Sequence, residues 1–277
     1  MPEEVFKYCD SHGVDILRNL ELKITPPDQF NDPFEFTPRV TCSSPRQHIK
    51  RLLNNKAEMR DMFLEQKREG SFTGSYRDFK RRLHTSRGIF LSNLIEKMPK
   101  MNAEFQAGFS DSVSRDMGVL CLSSRPYSIV MWGHYADKHR GIVIGFDRSW
   151  EVFHEKRGFK PVDYVDERPI WDTFRSRREL DSIDRVIFTK NKEWEYEAEL
   201  RQLFLLEGLT KRPLKDRTIG YFKPVPPEVI RSVRLGVRCP PERASEISSI
   251  LRAPQFAHVE TSKSSLHATK YFLEYRE

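Results

Sequence analysis

Hydrophobic and polar positions change rhythm several times along the chain. VFKYC (5–9) is a short apolar run and reads as a strand. DSHGVDILRNL then puts Val14, Ile16, Leu17 and Leu20 on or near one helical face, with Asp10 or Ser11 as the candidate N-cap. ELKIT alternates Leu22 and Ile24, predicts a second strand, and is stopped by Pro26-Pro27. FNDPFEF (30–36) follows as a turn, because Asn-Asp-Pro favours loop geometry. From about Gln47 to about Ser114 the period is helical, with breaks near Gly70–Gly74 and at Pro99. Strand signals then return in GVLCLSS and GIVIGFD, on either side of a helix in PYSIVMWGHYADKH. Val162–Val165, VIRSVRLGV, FAHVET and KYFLEYR predict further strands, and PERASEISSIL a helix opened by Pro240-Pro241. Strands and helices mix without regular β-α-β alternation. The expected class is α+β, with one domain over 1–277 and a helical insertion at 46–115.

Charge sharpens that insertion. The whole chain carries a formal +7. Arg46 to Arg115 holds 15 Lys and Arg against 8 Asp and Glu, so the entire excess sits there. A solvated helical surface is the plain explanation. The alternative is a footprint for phosphate backbones through Arg77, Lys80, Arg81 and Arg82, with Phe72, Tyr76 and Phe79 available for stacking.

The four cysteines are scattered and offer no metal-ligand spacing, so no metal is expected. Met1 leads into PEEVFKYC with neither a basic nor an apolar leader segment, and no apolar run is long enough to span a bilayer. A cytoplasmic protein without membrane contact is expected.

Candidate chemistry concentrates in EWEYEAELRQLF (193–204). Read as a strand, it lines up Glu193, Glu195, Glu197 and Glu199 with Arg201 on one face. An edge strand kept soluble by charge would look the same. Lys190, Trp194 and Glu197 follow helical spacing instead, so a turn into a strand at Glu197 would assemble a carboxylate pair beside a base. Two close carboxylates with a neighbouring cation can divide the roles of proton acceptor and charge stabiliser. Asn31 and Asp32 either contact a ligand or cap their turn. In MWGHYADKHRG, Trp132, His134 and Tyr135 are either core or ligand contacts.

FNDPFEF, the run CLSS…MWGHYADKHRGIVIGFD, and K…W..E.E.R at Lys190, Trp194, Glu197, Glu199 and Arg201 together resemble the bacterial domain-of-unknown-function family 2971. That name implies no activity. The order of parts is also similar to the DarT-type ADP-ribosyltransferase toxins. There a Tyr- or His-bearing first strand, a short helix and an aromatic Asn/Asp turn precede an Ala-Glu-Leu step and a Pro-x-x-(Ile/Val) strand. The matching segments here are VFKYC, SHGVDILRNL, FNDPFEF, EAEL and VPPEVIRSVRLGV. The chain has no match for the arginine before the aromatic turn, and Lys7-Tyr8 stands where those toxins favour His.

This second resemblance implies an ADP-ribosyltransferase-like mixed or antiparallel sheet with a split NAD cleft. Glu199 would be the catalytic acid, helped by Glu197 and Arg201. Tyr8, Phe30, Asn31, Asp32, Trp132, His134, Tyr135 and Lys190 would contact NAD. A nucleic-acid acceptor would lie on the basic insertion, and a toxin or phage-defence setting would bring an antitoxin or chaperone partner. Two other classes stay open. Asp10 and Asp15 followed by Glu21-Leu22-Lys23 loosely echo a magnesium-dependent nuclease, and the basic insertion alone would suffice for a non-catalytic nucleic-acid-binding module.

Overall fold

Val5, Phe6, Tyr8 and Cys9 are all buried, so the first strand, Glu4–Cys9, needs cover on both faces and takes an inner place in its sheet. The computed structural model describes residues 3–41, 44–154, 158–172, 181–214 and 217–276; Cys42 lies outside them. Eight strands form the main sheet, in spatial order Leu273–Arg276, Glu260–Leu266, Ile230–Leu235, Ile142–Asp147, Glu4–Cys9, Met117–Ser123, Glu199–Leu205 and Lys160–Pro161. Neighbours are antiparallel except Ile230–Leu235 and Glu260–Leu266, which run parallel. The protein is α+β with a mixed sheet.

Strand alternation divides the apolar residues into two layers. On one face Val5, Leu122, Ile144 and Leu200 pack with Leu17 and Ile247 from the helices Gly13–Asn19 and Pro241–Leu251. On the other, Phe6, Tyr8 and Val143 pack with Met131 and Trp132 from the helix Ile129–Tyr135, and with Leu273. Helix and sheet come close enough at Gly141 that a Cβ there would stand 2.0 Å from the Cys9 carbonyl oxygen, so only glycine fits.

Several local expectations shift. FAHVET does not form a strand over its length. The chain makes a 3-10 turn at Pro254–Phe256, and the strand begins at Glu260 and runs through the polar ETSKSSL. Ile219–Pro224 is a strand that the apolar pattern did not announce; it joins Thr210–Pro213 and Glu21–Ile24 in a separate three-stranded sheet. Neither Asp10 nor Ser11 is the first helix's N-cap: His12 holds that position without a side-chain cap, and Asp10 Oδ1 accepts from the His12 N–H at 2.8 Å.

The chain forms two compact units. The first, residues 1–36, 110–168 and 187–277, carries the eight-stranded sheet. The second, 37–109 and 169–186, holds the helices Pro45–Asn54, Lys56–Arg68 and Tyr76–Thr85, and Arg87–Ser114 as far as Phe109. A two-stranded parallel pair, Arg39–Thr41 with Ile170–Asp172, also belongs to it.

Two of its helix starts are capped: Asn55 accepts from the N–H groups of Ala57 and Glu58, and Ser75 with Asp78 forms a reciprocal capping box. The helical period does break at Gly70–Gly74, but Pro99 lies inside the Arg87–Ser114 helix. Phe79 is not available for stacking. It is 1% exposed, at the centre of a cluster with Met59 and Leu83 against which Phe63, Phe72 and Tyr76 pack. Among the described residues, no helix is long and apolar enough to cross a membrane.

Candidate active site

The glutamate row is not one continuous strand. Lys192–Glu197 is a 3-10 turn, Ala198 takes the left-handed conformation (φ 44°), and the strand starts at Glu199. Glu193 and Glu195 therefore face solvent, while the break at Ala198 turns Glu197 inward beside Glu199. On the sheet, Phe6 stands opposite Ser123 and Ser123 opposite Glu199, which puts the acid across three adjacent strands from the aromatic layer. Alternation then gives Arg201 the same face as Glu199, with Leu200 on the other.

Behind the acids lies a buried ionic cluster. Arg201 donates Nε to Glu199 Oε1 at 2.8 Å and Nη2 to Glu199 Oε2 at 2.9 Å, and its Nη2 also pairs with Glu35. Its third direction is taken by the Ile187 carbonyl, and the neighbouring rings of Phe30 and Phe36, 5.3 Å apart, lie 5.6 and 5.5 Å from the guanidinium. Lys190 Nζ reaches all three acids: Glu197 Oε2 at 2.6 Å, Glu35 Oε1 at 3.0 Å and Glu199 Oε2 at 3.4 Å. The same ammonium lies 4.8 Å from the centre of the Trp194 ring, which explains the tryptophan in the K…W..E.E.R pattern.

Electrostatics separates the members. Burial alone would raise the Glu199 carboxyl, but the Arg201 charge and hydrogen bonds, with Lys190, outweigh it and hold the group down to about 2. Glu35 goes the other way: burial pushes it up against the pull of Arg201 and Lys190. Burial also opposes the charge on Lys190, but three carboxylates override it and raise the ammonium. The Tyr135 phenol is raised by burial and by Glu197, to which it donates at 2.6 Å; Tyr135 accepts in turn from the Asn31 amide at 3.3 Å.

In front of the cluster is a cleft of about 470 Å³, within the range of about 300–1,000 Å³ usual for small-molecule sites. Glu197, Glu199, Lys190, Tyr8, Phe30, Asn31, His134 and Tyr135 all reach its wall. Tyr8 is pinned rather than free: its hydroxyl donates to the Arg125 carbonyl at 2.8 Å and accepts from the Ser128 N–H. His134 is exposed, with Nδ1 3.1 Å from the Tyr196 hydroxyl.

Two expected ligand contacts are not on the wall. Trp132 is fully buried, its Nε1 donating to the Pro126 carbonyl and the Tyr275 hydroxyl; it is core, because a ring packed on all sides has no face to offer. Asp32 is buried too, and its Oδ1 accepts from the Phe34 N–H at 2.9 Å, the turn-capping role. Arg201 does not line the cleft and touches it only through its bonds to Glu199.

Pattern reading missed Glu35, the acid that ties the FNDPFEF turn to both cluster bases. Its one signal was an acid set between two phenylalanines. Lys7 on the cleft wall, and Tyr164, whose hydroxyl accepts from the Glu199 N–H, were also missed.

Arg77, Lys80, Arg81 and Arg82 are exposed on the helix Tyr76–Thr85 of the second unit. Of the nuclease candidates, Glu21 pairs with Arg212, Asp15 with Arg18, and Asp10 with His12. Among the described residues, no group of three or more His, Cys, Asp or Glu side chains is placed to hold a metal ion.

No curated protein and no solved structure matches the chain. Residues 131–202 do match a family, and that segment takes in both MWGHYADKHRG and the K…W..E.E.R block, with FNDPFEF outside it. That family is described as protein of unknown function (DUF2971).

Proposed function

We propose that the chain is an NAD-dependent ADP-ribosyltransferase, with an ADP-ribosyltransferase-like sheet and a nucleic-acid acceptor, in keeping with its similarity to the DarT-type toxins. The observation that carries the reading is the pair Glu197 and Glu199 on the wall of an aromatic-lined cleft, backed by two buried bases. In such a reaction the bond between ribose C1′ and the pyridinium nitrogen breaks. Nicotinamide leaves neutral with the electron pair, and cationic character develops at C1′. The acceptor's nucleophilic atom then bonds to C1′ and loses its proton. A carboxylate beside C1′ stabilises that charge, and a second accepts the proton.

The two acids suit different parts. Glu199 stays ionised far below neutral pH and is held by two Arg201 bonds and Lys190, which makes it the fixed negative charge. Among the described residues the Glu197 carboxylate accepts from Tyr135 and Lys190, which leaves it lone pairs for a ligand or a proton. The exposed arginines and lysine of Tyr76–Thr85 are assigned to the acceptor's phosphates.

The test is incubation with NAD labelled in the ADP-ribose part, with mixed single-stranded RNA and DNA, with and without chelator. Glu199→Gln should remain folded and transfer no label, and wild-type transfer should survive chelation. Transfer by Glu199→Gln at the wild-type rate refutes its role. Nucleic-acid cleavage that needs Mg²⁺, without release of nicotinamide, would favour the nuclease. Reversing Arg77, Lys80, Arg81 and Arg82 to glutamate takes segment 46–115 from +7 to −1 and should abolish nucleic-acid binding while NAD still binds. Unchanged modification by that variant would remove the acceptor assignment.

A further inference from the structure

The helix Arg87–Ser114 carries an apolar row that stays partly uncovered. Leu91, Leu94, Met98, Met101 and Phe105 follow one another at alternating steps of three and four residues, the heptad spacing of a helix that packs along another helix. The first three are half-buried, but Met101 is 44% and Phe105 40% exposed. Single exposed apolar side chains are ordinary on a surface; a row held in register over about four turns is not. Phe105 is steadied by Trp171, on which it stacks at 6.0 Å. The next position of the row is Gly108, where a Cβ would meet nothing within 4 Å. Pro99, inside the helix, lies off the row.

The row complements itself when reversed. With a second copy laid antiparallel on it, Met98 of one copy faces Met101 of the other, Leu94 faces Phe105, and Leu91 faces the open space at Gly108. Lys97 and Glu104, both exposed, flank the row on one side, and the same register sets each Lys97 against the other copy's Glu104. Parallel packing would set Met98 on Met98 and Lys97 beside Asn102, with no charge pair. Within the chain Glu104 pairs loosely with Lys100, at 3.8 Å and largely in solvent, a contact too weak to oppose the exchange. We propose that the chain forms a two-fold dimer by antiparallel packing of Arg87–Ser114 on its counterpart, with two Lys97–Glu104 pairs fixing direction and register. One helix from each copy makes a small contact, so the dimer is weak and concentration-dependent. It is independent of the transferase reading, since none of these residues lines the cleft.

Sedimentation equilibrium of the full chain, without nucleic acid and at concentrations up to about 100 μM, tests it. The wild type should pass from monomer to dimer. Met101→Glu, at an exposed position, should stay monomeric with an unchanged melting temperature. Lys97→Glu or Glu104→Lys alone turns two attractions into two repulsions and should weaken dimerisation about tenfold. The double variant carrying both changes restores the two pairs with their signs exchanged, and should return dimerisation to within about threefold of the wild type. These charge variants, at exposed positions, decide the matter should Met101→Glu lose stability.

A wild type that is monomeric throughout overturns the proposal and leaves the row to a different partner. A dimer that survives Met101→Glu undiminished puts the contact elsewhere and overturns it too. Single reversals without effect, or a double variant no better than either, overturn the antiparallel register.

Discussion

Replacing Arg201 with methionine should be among the most damaging single changes in the sheet unit. The side chain has no exposure, and its guanidinium neutralises Glu199 through two bonds and Glu35 through a third. Methionine fills much of the volume but leaves three buried acids facing Lys190 alone. Breaking a buried ion pair from one side costs about 3–5 kcal/mol, a large part of the roughly 5–15 kcal/mol that holds a domain together. At about 2 kcal/mol per molar urea, the midpoint should fall by roughly 2 M.

Urea unfolding followed by tryptophan fluorescence measures this. In a Trp171→Phe background the reporters Trp132, Trp150 and Trp194 all lie in the sheet unit. Combining Arg201→Met with Glu199→Gln should recover part of the loss, since one stranded charge is removed, and a coupling of about 0.5–3 kcal/mol is usual for contacting groups. A loss under about 1 kcal/mol, or strict additivity in the double variant, would show that the cluster is not the energetic unit its geometry describes.

Trp132→Ala should lower stability by about 3–5 kcal/mol in the absence of any ligand; a stable variant with a specific ligand defect would return Trp132 to the cleft. Gly141→Ala should fail to fold, because its Cβ would collide with the Cys9 carbonyl, and a soluble variant with wild-type melting would contradict the contact. Burial, chiefly, raises the Tyr275 phenol from 10.0 to about 12, so the folded state favours the protonated form. That contribution is complete below pH 10 and is lost as pH rises toward 12. Tyr275→Phe should flatten the stability curve over that window; an unaltered slope would assign the alkaline loss to other groups.

Short apolar runs were enough to place VFKYC, GVLCLSS, GIVIGFD and VIRSVRLGV in strands, and Pro240-Pro241 to open the helix after them, because a strand covered on both faces must be apolar along its length. The polar strand Glu260–Leu266 gave no such signal: its pairing partners, not its own side chains, make it a strand. The sequence also marked Lys190, Glu197, Glu199 and Arg201 as a group through spacing alone. It could not say that Ala198 would turn left-handed and fold two acids inward while Glu193 and Glu195 stayed in water. Nor could spacing distinguish Trp132 as core from Tyr135 as cleft wall, three residues apart on one helix. Glu35 is the clearest case. It lies 155 positions before Lys190 and 166 before Arg201, and only the tertiary structure brings the three together, because pairing across such separations is set by the packing of the whole sheet and not by any local rule.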